Sequence, residues 1–257
     1  MKSFSLLTLG LAVSSGASSV SPLVKILPLG DSITFGCGSD AAPPNWYACC
    51  TAESGGYRAP LWAALNGSSI NASVLMVGTE SNGPSWMPQE QRAHEGHPGW
   101  TISRINGLES KWVALAPDVV LLMAGTNDIG QMHPAAQIQQ DMKDLLATLR
   151  TTLPLARLYV TSLLTFYSSE DPGIPQEVET YNAALPALVA AVNGTFVDIN
   201  KATGMCAPNN STLDSLCSVC NGPCGGYNPA VVRWDTLFVW RILSLFLGSS
   251  PLLLDLA

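Results

Sequence analysis

Short runs of β-branched and aliphatic residues recur along the chain at Val24 to Leu29, Ser73 to Gly78, Asp118 to Ala124, Arg157 to Leu164 and Thr195 to Asn200. Nearly continuous apolar character over such lengths is the pattern of strands covered on both faces, as in a parallel sheet. Between them, Gly56 to Leu65, Ile102 to Leu115, Pro134 to Leu153 and Pro175 to Val192 space their apolar residues by three and four, as amphipathic helices do. The alternation predicts an α/β fold: a three-layer α/β/α sandwich around a five-stranded parallel sheet, joined by right-handed crossovers. A ligand site in such a sheet lies outside the carboxyl ends of the strands.

Three motifs fall on that edge. Gly30-Asp31-Ser32-Ile33-Thr34-Phe35-Gly36 follows the first strand, Gly78 ends the second, and Gly125-Thr126-Asn127-Asp128 follows the third. A serine at a strand-to-helix junction can present its Oγ to the cleft and its own N–H to a developing negative charge; it can equally be a helix N-cap. Gly78 would let a backbone N–H approach a reacting oxygen, or would be a turn glycine. Asn127 offers a side-chain amide donor of the kind that stabilises an oxyanion by roughly 3 kcal/mol, or forms a cap or Asx turn.

At 257 residues and 47% hydrophobic content, with no Pro/Gly/Ser-rich linker, the chain suits one sizeable domain. Met1 to about Ser19 carries one lysine, an apolar run from Phe4 to Val13 and then small residues. That is the pattern of a secretory signal peptide, and the run is too short to span a bilayer. The net charge is −7, and without Lys2 it is 11 minus 19, or −8, which excludes nucleic acid as an expected partner. Five N-x-S/T sequons begin at Asn66, Asn71, Asn193, Asn209 and Asn210, in keeping with a secreted, extracellular glycoprotein. In that setting the seven cysteines favour disulfides, with one thiol left over. Cys217-x-x-Cys220-x-x-x-Cys224 could be a zinc knuckle, but no histidine and no second cysteine pair of ribbon spacing accompanies it.

Four ordered blocks carry a resemblance to a known family. Ile26-Leu27-Pro28-Leu29-Gly30-Asp31-Ser32-Ile33-Thr34-Phe35-Gly36, Val77-Gly78-Thr79-Glu80-Ser81-Asn82-Gly83, His94-Glu95-Gly96-His97-Pro98-Gly99-Trp100 and Gly125-Thr126-Asn127-Asp128 resemble those of the SGNH (GDSL) hydrolases. The branch most resembled is the carbohydrate esterases that include acetyl xylan esterases, and the likeness covers roughly residues 24 to 200. It implies a flavodoxin-like SGNH hydrolase fold with Ser32 as nucleophile. The Ser32 N–H, the Gly78 N–H and the Asn127 side chain would form the oxyanion hole. An acyl ester, an acetyl group on a sugar or a small ester, would be attacked at its carbonyl; the alcohol leaves first and water then releases the acid. No cofactor and no metal are implied, and a monomer is expected.

One block of that family is missing. Its Asp-x-x-His near the C-terminus supplies the base and the residue that orients it, yet none of Asp214, Asp235 and Asp255 has a histidine three residues on. His94, His97 and His133 are all that remain as substitutes; the first two belong to a block the family uses elsewhere, and His133 stands beside Pro134 in a first helical turn. Shifting the reading of Arg233 to Leu237 by one nucleotide permits Asp, Gly, Thr or Ile, and His in succession, with Gly-Gly-Tyr permitted over Trp240 to Leu243. The family's Pro and Asn positions cannot be written in that frame. The expectation is therefore a signal peptide over 1–19, an esterase domain over 20–229 and an atypical tail over 230–257 that is a misframed or mis-spliced product. Coincidence and a divergent tail are the alternative. A transcript confirming Arg233 to Leu243 as given would exclude misframing. As written, the chain is expected to be nearly inactive, and a non-catalytic glycan-binding pseudoenzyme is the rival reading.

Overall fold

The structure is a computed structural model that describes residues 23–37, 50–67, 73–166 and 171–200. The signal-peptide segment, the tail over 230–257 and the cysteines from Cys206 onward lie outside the described residues. All five expected strands are present, as β1 (Leu23–Gly30), β2 (Ser73–Met76), β5 (Val119–Met123), β6 (Arg157–Thr161) and β7 (Thr195–Val197). They pair in parallel in the order β2-β1-β5-β6-β7. Two short strands, β3 (Glu80–Ser81) and β4 (Ala93–Gly96), add to them and make a seven-stranded sheet. β4 takes the same side of β1 as β2 but beside its carboxyl end, and β3 runs antiparallel to β4.

The expected helices are α2 (Arg58–Asn66), α6 (Ala135–Thr152) and α7 (Ile174–Ala191), with a fourth divided into α3 (Ile102–Asn106) and α4 (Glu109–Leu115). The division falls at Gly107, where a glycine lowers helix stability by about 1 kcal/mol against alanine, so the chain re-aims to bury Leu108 and Trp112. Two single-turn helices were not expected: α1 (Ser32–Phe35) and α5 (Thr126–Gly130). Helix α3 packs on α6, and α6 packs on α7. Ile138, Met142, Leu145, Leu146 and Leu149 of α6, and Val178, Tyr181, Leu185 and Val189 of α7, cover a sheet whose β5 is buried at every position.

The loops at the carboxyl edge are gathered by Arg58, the first residue of α2 and fully buried. Its guanidinium donates to the carbonyls of Thr34 (2.8 Å), Phe35 (2.9 Å), Ser54 (3.2 Å), Asn82 (3.0 Å) and Arg92 (3.1 Å), and to Asn82 Oδ1 (3.1 Å). Burial lowers its pKa to about 10, which still leaves the cation charged near neutrality. A disulfide between Cys37 and Cys50 closes the loop that leaves α1, a cross-link worth about 3 kcal/mol for a loop of this size. The flat five-donor fork of arginine is what serves so many carbonyls at once, so Arg58→Lys should cost about 3 kcal/mol of stability despite keeping the charge. Urea unfolding of the two proteins at one pH checks this; an unchanged midpoint would remove Arg58 from this role.

Candidate active site

The last residues of β1 are paired on both sides, Gly30 with Gly96 of β4 and with Met123 of β5. The motif that follows Gly30 and the motif that follows β5 therefore leave the sheet side by side. Asp31 caps α1, its Oδ1 accepting from the Ile33 N–H at 2.9 Å. The cap reading of Ser32 is thereby corrected: the carboxylate before it does the capping, and Ser32 is the first helical residue. Its hydroxyl has no hydrogen-bond partner among the described residues, and the N–H groups of Ser32 and Gly78 likewise have no acceptor there.

Gly78 lies just beyond β2, one strand from β1. A Cβ there would sit 2.1 Å from the backbone carbonyl of His94, so close packing of β4 against this turn already demands glycine. Asn127 is the second residue of α5 and does not cap it; its Nδ2 donates to the Trp100 carbonyl at 2.8 Å. One amide hydrogen is thus spent on orientation and the second is left to donate. Ser32, Gly78 and Asn127 accordingly stand at the ends of three adjacent strands, β1, β2 and β5.

The three histidines are engaged elsewhere. His94 is buried on β4, with Nε2 donating to Asn82 Oδ1 and Nδ1 accepting from the Gly96 N–H at 2.9 Å, so neither nitrogen is open to a serine. Burial, then the charge of Arg58, pushes its pKa down to about 2. His97 pairs through Nε2 with Glu95 Oε2 at 2.9 Å and stacks on Trp100 at 4.3 Å between ring centroids. His133 has its Nδ1 3.8 Å from Asp128 Oδ1. Asp128 is itself buried and receives the Ile102 N–H at the start of α3, at 3.0 Å to Oδ2, while burial raises its pKa. None of the three histidines hydrogen-bonds to Ser32.

Sequence reasoning assigned no role to Glu95 or to the Trp100 carbonyl. The signal was present, since a glutamate set between two histidines, His94 directly before it and His97 two residues on, is an unusual thing to bury. Among the described residues no group of three or more His, Cys, Asp or Glu could hold a metal, and no helix is long and apolar enough to cross a membrane.

Asp31 is the strained member of the site. Its Oδ2 and the Thr126 hydroxyl are both buried without a well-formed hydrogen bond. Burial raises the Asp31 pKa to about 7, opposed by the Ile33 N–H and assisted by the charge of Asp128. With the folded value above the unfolded one, the penalty to folding is absent below about pH 4 and grows as pH rises toward 7. Asp31→Asn keeps the capping oxygen and should therefore stabilise the protein at pH 7.5, by up to about 4 kcal/mol, and give no gain at pH 4. Urea unfolding at the two pH values checks it; an equal effect at both would contradict the assignment.

Comparison with known proteins bears on family and fold. The sequence profile of the GDSL-like Lipase/Acylhydrolase family matches residues 29–218. The chain is 29% identical over 169 residues to a multidomain esterase of Ruminococcus flavefaciens, a match covering 57% of this chain and 20% of that much longer protein. Among solved structures it resembles a family 3 carbohydrate esterase of Clostridium thermocellum, with a TM-score of 0.61 and 23% identity over 88% of this chain and 96% of that one. It also resembles a variant of an acetyl xylan esterase from Geobacillus stearothermophilus, with a TM-score of 0.57 and 19% identity over 87% and 96% of the two chains. At these identities the structural likeness bears on fold, and the profile match settles descent: the chain belongs to the GDSL-like lipase/acylhydrolase family of carboxylic ester hydrolases.

Proposed function

We propose that this chain is a secreted serine esterase that removes acyl groups, acetyl above all, from carbohydrate esters such as acetylated plant polysaccharide. The observation that carries it is the state of Ser32: first in α1, relieved of capping by Asp31, with a hydroxyl and an N–H that no described residue occupies. Ser32 Oγ attacks the acyl carbonyl, and the oxyanion is received by the Ser32 N–H, the Gly78 N–H and the second amide hydrogen of Asn127. The alcohol departs, leaving an acyl-serine that water hydrolyses. The protein works as a monomer and without cofactor, because serine, base and oxyanion donors suffice.

The base comes from the segment beyond the described residues, in its corrected frame. The family match ends at residue 218, ahead of Arg233, where the shifted frame permits Asp-Gly-Thr/Ile-His. Secretion rests on Met1 to Ser19 and on the sequons, of which Asn66 and Asn193 are exposed at the ends of α2 and α7. A glycan-binding pseudoenzyme is the second reading, favoured by the engagement of all three histidines away from Ser32.

Release of p-nitrophenol from its acetate ester, and of acetate from acetylated xylan, decides between them when measured for the given chain and for a frame-corrected chain. The corrected chain should turn over substrate in a Ser32-dependent way, while the given chain, lacking its base, should be slower by about six powers of ten. Asn127→Ala in the corrected chain should lower kcat about 100-fold or more with little change in KM. Binding of acetylated xylan by both chains, with turnover in neither, would establish the pseudoenzyme. Preference for long acyl esters would replace the carbohydrate substrate by a lipid-like one.

A further inference from the structure

Glu95 is fully buried on β4, and its two oxygens go to different parts of the site. Oε1 accepts the N–H of Thr79, the residue directly after Gly78. Oε2 accepts from His97 Nε2 at 2.9 Å. The His97 ring lies flat on Trp100, with an interplanar angle of 20°, and the Arg104 guanidinium stands 4.6 Å from the Trp100 ring centroid. The Trp100 N–H returns to the His97 carbonyl at 3.2 Å, closing a tight turn over Pro98 and Gly99, where Gly99 has φ +77. From that turn the Trp100 carbonyl takes the Asn127 amide.

The same segment holds the serine strand. Glu95 and Gly96 pair with Leu29 and Gly30, and the His97 N–H donates to the Gly30 carbonyl at 3.0 Å. A Cβ on Gly96 would meet Phe35 N at 2.3 Å, so α1 rests directly on the end of β4. Glu95 thus binds the arm of Gly78 through Thr79 and the arm of Asn127 through His97 and Trp100, while its strand β4 pairs with β1, the strand that leads into Ser32. Its net pKa lies below the ordinary carboxylate value, because the His97 and Thr79 hydrogen bonds outweigh the opposing effect of burial. The carboxylate is charged, and a charged acceptor makes the stronger hydrogen bond.

We propose that Glu95 is a positioning residue of the oxyanion hole, setting the Gly78 N–H directly through Thr79 and the Asn127 amide through the His97–Trp100 stack. This rests on the reading of Ser32, Gly78 and Asn127 as the reacting site. A residue that merely fastened β4 to the fold would support stability without coupling to Asn127.

The test compares Glu95→Gln, His97→Asn and the parent in 15N-labelled protein, with kinetics of the frame-corrected enzyme alongside. In Glu95→Gln the Thr79 amide should exchange about tenfold faster, and the Asn127 side-chain NH2 resonances should move, while exchange of the β5 amides of Val120 to Leu122 holds. His97→Asn, which spares the Thr79 hydrogen bond, should move the Asn127 resonances and leave Thr79 exchange unchanged. In the active enzyme Glu95→Gln should lower kcat about 30-fold with KM within about twofold. Unmoved Asn127 resonances in both variants would overturn the proposal, as would a fall in melting temperature accompanied by an unchanged kcat. If turnover proves independent of Ser32, the esterase reading fails by that result alone; the resonances of Asn127 then judge the coupling on their own.

Discussion

The geometry of this site depends on one constraint, the double pairing of the end of β1. Leu29 lies between Glu95 and Leu122, and Gly30 between Gly96 and Met123, so the strand has no freedom to slide or tilt where the chain leaves the sheet. A one-residue slip would exchange the two faces of the strand and bury the wrong set of side chains. With the register held by the apolar packing of Ile26, Leu27 and Leu29, the turn at Asp31 and the position of Ser32 follow. The neighbouring strands deliver Gly78 and Asn127 to the same edge for the same reason.

Around this edge the protein buries polar groups that cost stability unless they are satisfied. Arg58 is satisfied by carbonyls rather than by an acid, and Glu95 by a histidine and a backbone N–H. Asp31 is satisfied only in part, with one oxygen on the helix cap and the other orphaned beside Thr126. A partly satisfied carboxyl beside Ser32 is a local cost that the surrounding core must offset. The Cys37–Cys50 disulfide and the Arg58 hydrogen bonds fasten the loops on either side of it.

Much of the fold was legible because burial writes itself as hydropathy. The run from Val119 to Met123 is apolar throughout and buried throughout, and α6 shows its core face at three- and four-residue spacing. Strand β4 was not legible for the complementary reason: in Ala93-His94-Glu95-Gly96 the three buried positions are two polar residues and a glycine, and hydrogen bonds to groups distant in sequence hold them. The same blindness hid the role of Glu95, and left Ser32 ambiguous until the cap was found on Asp31. Seven cysteines announce disulfides without naming partners, because spacing does not choose among pairings; Cys37–Cys50 emerged only from the fold. Gly78 was read as a donor or a turn, and the backbone of His94 pressed against it gives glycine a packing reason independent of either.

The central claim is that Ser32 is a nucleophile in a preformed oxyanion hole whose base lies in the misread segment. Covalent trapping tests it most directly. The frame-corrected protein is treated with an organophosphate ester such as diethyl p-nitrophenyl phosphate and its peptides are weighed by mass spectrometry. A diethyl phosphoryl adduct should appear on Ser32 and on no other residue, fast in the corrected chain and barely detectable in the chain as given. An adduct on a different serine, or none on Ser32 in the corrected chain, would contradict the account.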